Sequence, residues 1–116
     1  MPFPIVGSHY HPPAKAILDS IPPGTQLILQ PEPENSYDSN AIKVIIASKD
    51  IPENSHLFLS DQLMAYGLEI EDILNQEIWH LGYLPRAVAQ NLTIDKNTIV
   101  YGIFSIDHNG RYLVSI

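Results

Sequence analysis

His9 and His11 stand two apart, a spacing that in a strand puts both imidazoles on one face. With His80 they are the nearest this chain comes to a metal-ligand set, because neutral imidazole is a common zinc donor. Pro12 disrupts a strand at that point and no fourth ligand is evident. The 116 residues include no cysteine, which removes disulfide scaffolds, thiolate zinc sites and thiol nucleophiles. No metal and no other cofactor is expected. Ser8 and His9 are neighbours in sequence, and adjacency does not give the side-chain geometry that a Ser–His pair needs. There is no Gly-x-Ser-x-Gly elbow, no phosphate-cradling glycine loop and no His-Glu-x-x-His. The chemistry on offer is therefore recognition, and the expectation is a protein that is not an enzyme.

The charge balance narrows what can be recognised. Formal net charge is −7, which by itself argues against wrapping a phosphate backbone. The distribution matters more than the total. Residues 49–79 hold Asp50, Glu53, Asp61, Glu69, Glu71, Asp72 and Glu77 against the single base Lys49, a balance of −6. The other 85 residues are close to neutral, at −1. A small anion-binding face on that body is compatible with these numbers, and a long basic groove is not.

The elements that must position these residues are short. Apolar residues make up 45% of the chain, enough for one packed core, while ten prolines and six glycines call for many turns. Residues 3–10 read as a first strand, 14–21 as a short helix stopped by Pro22-Pro23-Gly24, and 25–30 as a strand between Pro-Gly and Pro signals. Residues 31–40 (PEPENSYDSN) read as turns, since Asn, Asp and Ser side chains there bond to their own backbone. Residues 41–47 (AIKVIIA) are a β-branched third strand that sends Lys43 to the face opposite Ile42 and Val44. Residues 49–60 look irregular, with a helix from Ser60 or Asp61 to about Gln76, interrupted at Gly67. Residues 79–84 read as a strand, Arg86–Leu92 as a short helix behind Pro85, and 98–106 and 111–116 as two strands joined through Asn109-Gly110. The last of these is read as an exposed edge strand that could support self-association. The count gives a mainly β fold: a small OB-like or SH3-like curved barrel of about six strands with two or three short helices. Residues 1–116 form a single domain, carrying an acidic, partly helical insertion at about 49–78. With no apolar run long enough to span a bilayer and no basic-then-apolar leader, the reading is a soluble cytoplasmic or nuclear protein complete from Met1, with no membrane partner.

Two stretches are more particular than the rest. One is Glu32-Pro33-Glu34-Asn35-Ser36-Tyr37-Asp38-Ser39-Asn40-Ala41-Ile42-Lys43-Val44, and the other is Gly82-Tyr83-Leu84-Pro85-Arg86-Ala87-Val88-Ala89, with Leu92 one helical turn on. Together with Ile5-Val6-Gly7, this ordered set resembles the HIRAN domain, a family found at the N-terminus of fork-remodelling helicase-like ATPases and as stand-alone bacterial and phage proteins. The resemblance covers roughly residues 4–48 and 78–105. Where members cross between the two motifs by a short loop, this chain spends about thirty residues, and they are the acidic ones.

The resemblance implies an OB-like barrel that binds the free 3′ end of single-stranded DNA in a small pocket. Carried over position by position, Ser8, His9 and Tyr10 follow the first glycine, where DNA-binding members have a basic residue and aromatics. Asn35, Tyr37 and Asp38 come from the central motif, the tyrosine stacking on a base and the aspartate receiving the terminal 3′-hydroxyl. Lys43 lies in the same motif, and Tyr83 and Arg86 come from the second, near phosphates. An ionised carboxylate accepts a hydroxyl hydrogen bond and repels a phosphate, so Asp38 would select a free 3′-hydroxyl. Other roles stay open beside these. Asp38 could cap a turn, Tyr37 could be a core aromatic, and Lys43 and Arg86 could be ordinary solvated charges. The insertion reads either as a surface excursion packed on the barrel through Leu63, Met64, Ile70, Ile73 and Leu74, or as a docking element. In the second case the protein is an interaction module, such as a phage-encoded modulator of a host enzyme, contacting a partner through Asp61, Glu69, Glu71 and Asp72.

Overall fold

The computed structural model describes residues 1–8, 11–95 and 97–116, so the roles expected of His9 and Tyr10 lie outside the described residues. In chain order the elements are β1 (Pro2–Pro4), α1 (Pro12–Ser20), β2 (Gln26–Pro31), β3 (Ile42–Ala47), α2 (His56–Met64), α3 (Ile70–Leu74), β4 (Ile78–Tyr83), α4 (Arg86–Asn91), β5 (Val100–Ile106) and β6 (Tyr112–Ser115). Two 3₁₀ turns, Ser48–Asp50 and Glu53–Ser55, lead from β3 into α2.

The six strands form one antiparallel sheet in the order β1-β6-β5-β2-β3-β4. Its two outer strands curl towards each other. Just past β1, Val6 exchanges backbone hydrogen bonds of 2.8 Å in both directions with Tyr83 at the end of β4. The sheet is thus a curled, OB-like half-barrel, mainly β, with short helices on it. Gly82 makes the seam between its edges feasible: a Cβ there would sit 2.5 Å from the Val6 carbonyl oxygen, and the residue's φ is +153°. β6 is flanked by β1 and β5 and is not the exposed edge that its sequence suggests.

Alternation along the strands sends Leu27, Leu29, Val44, Ile46, Leu81, Phe104 and Val114 into a core with essentially no solvent exposure. α1 adds Ala14, Ile17 and Leu18 from one face, and Ile21 follows at its C-terminal cap. Pro12 and Pro13 open α1, where missing amide hydrogens leave no bond unmade. Those prolines therefore begin a helix two residues earlier than expected, and the preceding strand is correspondingly shorter. Trp79 packs on the margin of the core and donates its indole N–H to the Ile73 carbonyl at 2.8 Å.

The acidic segment departs most from its expected form. A helix to Gln76 is not formed; Gly67 takes φ +70° and separates α2 from α3. α2 also starts at His56, four residues before Ser60. Leu59, Leu63 and Ile73 are fully buried, so the segment shares the main core, each side chain contributing about 1.5–3 kcal/mol. Met64 and Leu74, expected to pack, are exposed. The 107–111 hairpin differs in detail as well. Among the described residues no non-glycine residue has positive φ, so Asn109 does not form the two-residue mirror-image turn. Gly110, at φ +80°, is the left-handed residue instead, and Asp107 Oδ1 accepts the N–H groups of Asn109 and Arg111. Among the described residues the sheet carries a few short α-helices, as expected of this fold class. No helix among the described residues is long and apolar enough to cross a membrane.

Candidate nucleic-acid interface

The loop from Glu32 to Ala41 is built by its own polar side chains. Its neck is closed where the Glu32 N–H donates to the Ala41 carbonyl at 2.8 Å. Asn35 Oδ1 accepts the N–H groups of Tyr37 (2.9 Å) and Asp38 (3.0 Å). Asp38 Oδ1 accepts the Asn40 N–H at 2.9 Å, and the Asp38 carbonyl accepts the Ala41 N–H. These are the side-chain turns that Asn and Asp favour. Their consequence is to turn Tyr37 outwards, with 93% of its surface exposed. A ring that size gains nothing for folding when it stands in water, so the core role is excluded.

Glu32 holds the loop to the sheet. One carboxylate oxygen accepts from Asn35 Nδ2 at 2.7 Å and from the Tyr83 hydroxyl at 2.9 Å; the other lies 3.6 Å from Lys43 Nζ. The β3–β4 register sets Lys43 opposite Tyr83, which brings both to this carboxylate. Burial works to raise the Glu32 pKa, but the two hydrogen bonds and the Lys43 charge outweigh it and hold the carboxyl below its ordinary value. Burial, helped by Glu32, pushes the Tyr83 hydroxyl up, so it stays protonated as a donor. Sequence reasoning assigns Glu32 no role, although it opens the central motif. Its partner Tyr83 is 51 residues away, and only the fold shows the connection.

Beyond Tyr83 lies a pair of histidines. The His80 ring is edge-on to Tyr83, with centroids 4.8 Å apart, and 4.3 Å from the His11 ring. His80 Nε2 is 3.0 Å from the Gly82 carbonyl, which can only accept, so Nε2 carries the proton. Burial and the neighbouring His11 lower the His80 pKa, and the bond to Gly82 opposes them only in part; the ring is neutral near pH 7. Among the described residues no three potential ligands gather to hold a metal ion.

A groove of about 490 Å³ opens between the loop and the β4–α4 corner, lined by Asn35, Tyr37, Asp38, Tyr83, Leu84 and Arg86, with Val6 and His11 also in its lining. Five residues singled out in the sequence therefore meet at one place: Asn35, Tyr37, Asp38, Tyr83 and Arg86. Lys43 is adjacent, but its charge is taken up by Glu32. Arg86, the first residue of α4, is largely exposed, with Nε 3.7 Å from Asp38 Oδ2. One Asp38 oxygen caps the loop and the other faces the groove and the guanidinium. The turn-capping bond thus uses only one of the two Asp38 oxygens. The formal charges of the loop and its neighbours, on Glu32, Glu34, Asp38, Lys43 and Arg86, sum to −1. Chemically the groove offers one ring face and one carboxylate oxygen that accepts no hydrogen bond and is ion-paired with one exposed cation.

The HIRAN domain family model matches residues 2–111, nearly the whole chain and both motif regions. No curated protein and no solved structure gives a significant match.

Proposed function

The chain belongs to the HIRAN domain family, a family of DNA-binding domains, and from that premise we propose that it is a non-catalytic module that captures the 3′-hydroxyl end of single-stranded DNA in the groove beside Tyr37. The observation that carries this reading is the Tyr37 ring, presented to solvent within the same groove as the Asp38 carboxylate and the exposed guanidinium of Arg86 paired with it. An unpaired terminal base stacks on the ring, worth about 1–3 kcal/mol. The 3′-hydroxyl donates to Asp38 Oδ2, a bond to a charged acceptor worth about 1.5–3 kcal/mol. Arg86 swings from Asp38 to the adjacent phosphate, while Asn35 and Tyr83 hold the loop through Glu32. A 3′-phosphate in place of the hydroxyl meets the Asp38 carboxylate as a like charge. The net charge of the chain does not forbid this. The acidic segment leaves the sheet at Ala47 and returns at Ile78, four ladder positions from the Lys43–Tyr83 pair. That places the segment's points of exit and return about 13 Å along the ribbon from this pair, more than the screening length of about 8 Å at physiological salt.

Fluorescence anisotropy with matched single strands ending in 3′-hydroxyl or 3′-phosphate tests the proposal. The expected result is about tenfold or greater preference for the hydroxyl, with a shallow salt dependence from one or two phosphates. Equal affinity for the two ends, or no binding at low salt, refutes it.

The acidic segment supports a second reading that is compatible with the first, a protein-contacting surface. What favours it is charge left unmatched. The four ion pairs among the described residues, Lys15–Asp19, Lys43–Glu32, Arg86–Asp38 and Arg111–Asp107, all lie outside residues 49–77.

A further inference from the structure

α2 is apolar on both of its faces. Leu59 and Leu63 point inwards and are fully buried, with α1 packed against the helix. Leu57, Asp61 and Met64 recur at the i, i+4, i+7 spacing of a single outward stripe, and Phe58 stands beside it. Leu57 is 78% exposed, Met64 72% and Phe58 51%, and Tyr66 just past the helix is exposed as well. Large apolar side chains on both faces of a helix normally have protein on both sides. Here the inner side is covered and the outer side is bare, with one carboxylate, Asp61, among the apolar groups.

The charge around this face limits what can cover it. The segment carries seven carboxylates and one base, and none of those carboxylates has an ion-pair partner among the described residues. A second copy of the chain docking by the same face would set two such fields against each other. An anionic lipid surface would be repelled in the same way. A cationic protein segment is attracted and oriented by the field, and its aliphatic side chains gain the burial.

We propose that the outward face of α2 docks a cationic amphipathic helix of a partner protein, with Leu57, Phe58 and Met64 as apolar anchors and Asp61 pairing with a Lys or Arg among them. This rests on the protein-contact reading of the acidic segment and moves its contact surface from carboxylates alone to a mixed apolar and acidic face. The mode is the packing of an amphipathic helix on an apolar surface, and specificity comes from the sign of the charge. Because Leu59, Leu63 and Ile73 belong to the main core, removing the segment would strip these side chains from it, and point substitutions are the proper test.

The probe is a short helical peptide of Leu and Lys at amphipathic spacing, with a Leu/Glu peptide of the same pattern as control, titrated calorimetrically into the full chain. The Leu/Lys peptide is expected to bind with a negative heat-capacity change, the mark of apolar burial, and the Leu/Glu peptide is not expected to bind. The triple variant Leu57→Ser, Phe58→Ser, Met64→Ser should weaken binding about tenfold or more and abolish most of the heat-capacity change, with melting temperature and DNA affinity unchanged. A double variant Asp61→Asn, Glu71→Gln should weaken binding and flatten its salt dependence. If only the charge variant has an effect, the α2 face is overturned while a protein contact through the carboxylates survives. If neither variant matters, or no peptide binds, both readings fail. If the wild type sediments as a dimer that the triple variant dissociates, the occupant is a second copy and the proposal is overturned.

Discussion

Replacing Tyr37 by alanine separates a binding ring from a folding one. In the structure the ring is 93% exposed and its hydroxyl has no hydrogen-bond partner among the described residues. Its backbone N–H is held by Asn35 Oδ1, a bond that alanine keeps. Folding stability should therefore change by no more than about 0.5 kcal/mol, the range of surface substitutions away from special features. Stacking on an unpaired base is worth about 1–3 kcal/mol, so DNA affinity should fall about fivefold to about 150-fold. Tyr37→Phe keeps the π-face and should bind nearly as wild type. The assay pairs thermal denaturation with anisotropy titration of a 3′-hydroxyl oligonucleotide at fixed, low salt. A melting temperature lowered by about 4 °C or more, roughly 1 kcal/mol in a chain of this length, would show the ring supporting the fold. An affinity within about twofold of wild type would show that it does not touch DNA. Either result refutes the reasoning.

Arg86→Ala should weaken binding to all sequences alike and lower the slope of log affinity against log salt by about 1, measured by titration across a salt series. Glu32 has a lowered pKa in the fold, so the folded state binds fewer protons than the unfolded chain. Its contribution is complete above the ordinary value of 4.5 and is lost as pH falls through the lowered folded value; in Glu32→Gln that part of the acid loss of stability should be absent from melting curves recorded at pH 6 down to 3. Gly82→Ala forces a methyl group against the Val6 carbonyl oxygen at 2.5 Å and should cost about 2–4 kcal/mol in urea unfolding, by opening the seam between β1 and β4.

How far these features could be read from residues alone depends on the range of the contacts behind them. β2 and β3 follow from β-branched runs bounded by proline and glycine, and they appear within a residue or two of the expected limits. The central loop was legible for the same reason: Asn35 and Asp38 bond to backbone two or three residues away. Gly67 was ambiguous, because glycine inside a helical pattern either is tolerated or ends the helix, and here it takes a positive φ. Nothing local signals that Val6 pairs with Tyr83, that Glu32 gathers Asn35, Tyr83 and Lys43, or that His11 meets His80; each joins segments brought together only by the closed sheet. The outward apolar face of α2 was hidden for another reason. Periodicity finds apolar positions on a helix without saying which of them another element covers, so Met64 and Leu74 read as core while Leu59 did not.

The central claim is spatial, and an amide nitrogen–proton correlation spectrum recorded while adding a short single strand with a free 3′-hydroxyl tests it most directly. Binding at the groove predicts shift changes concentrated at Asn35, Tyr37, Asp38, Tyr83 and Arg86, strongly reduced when the same strand ends in a phosphate. Changes confined to α2, or to the exposed face of β5, or identical for the two ends, would contradict it.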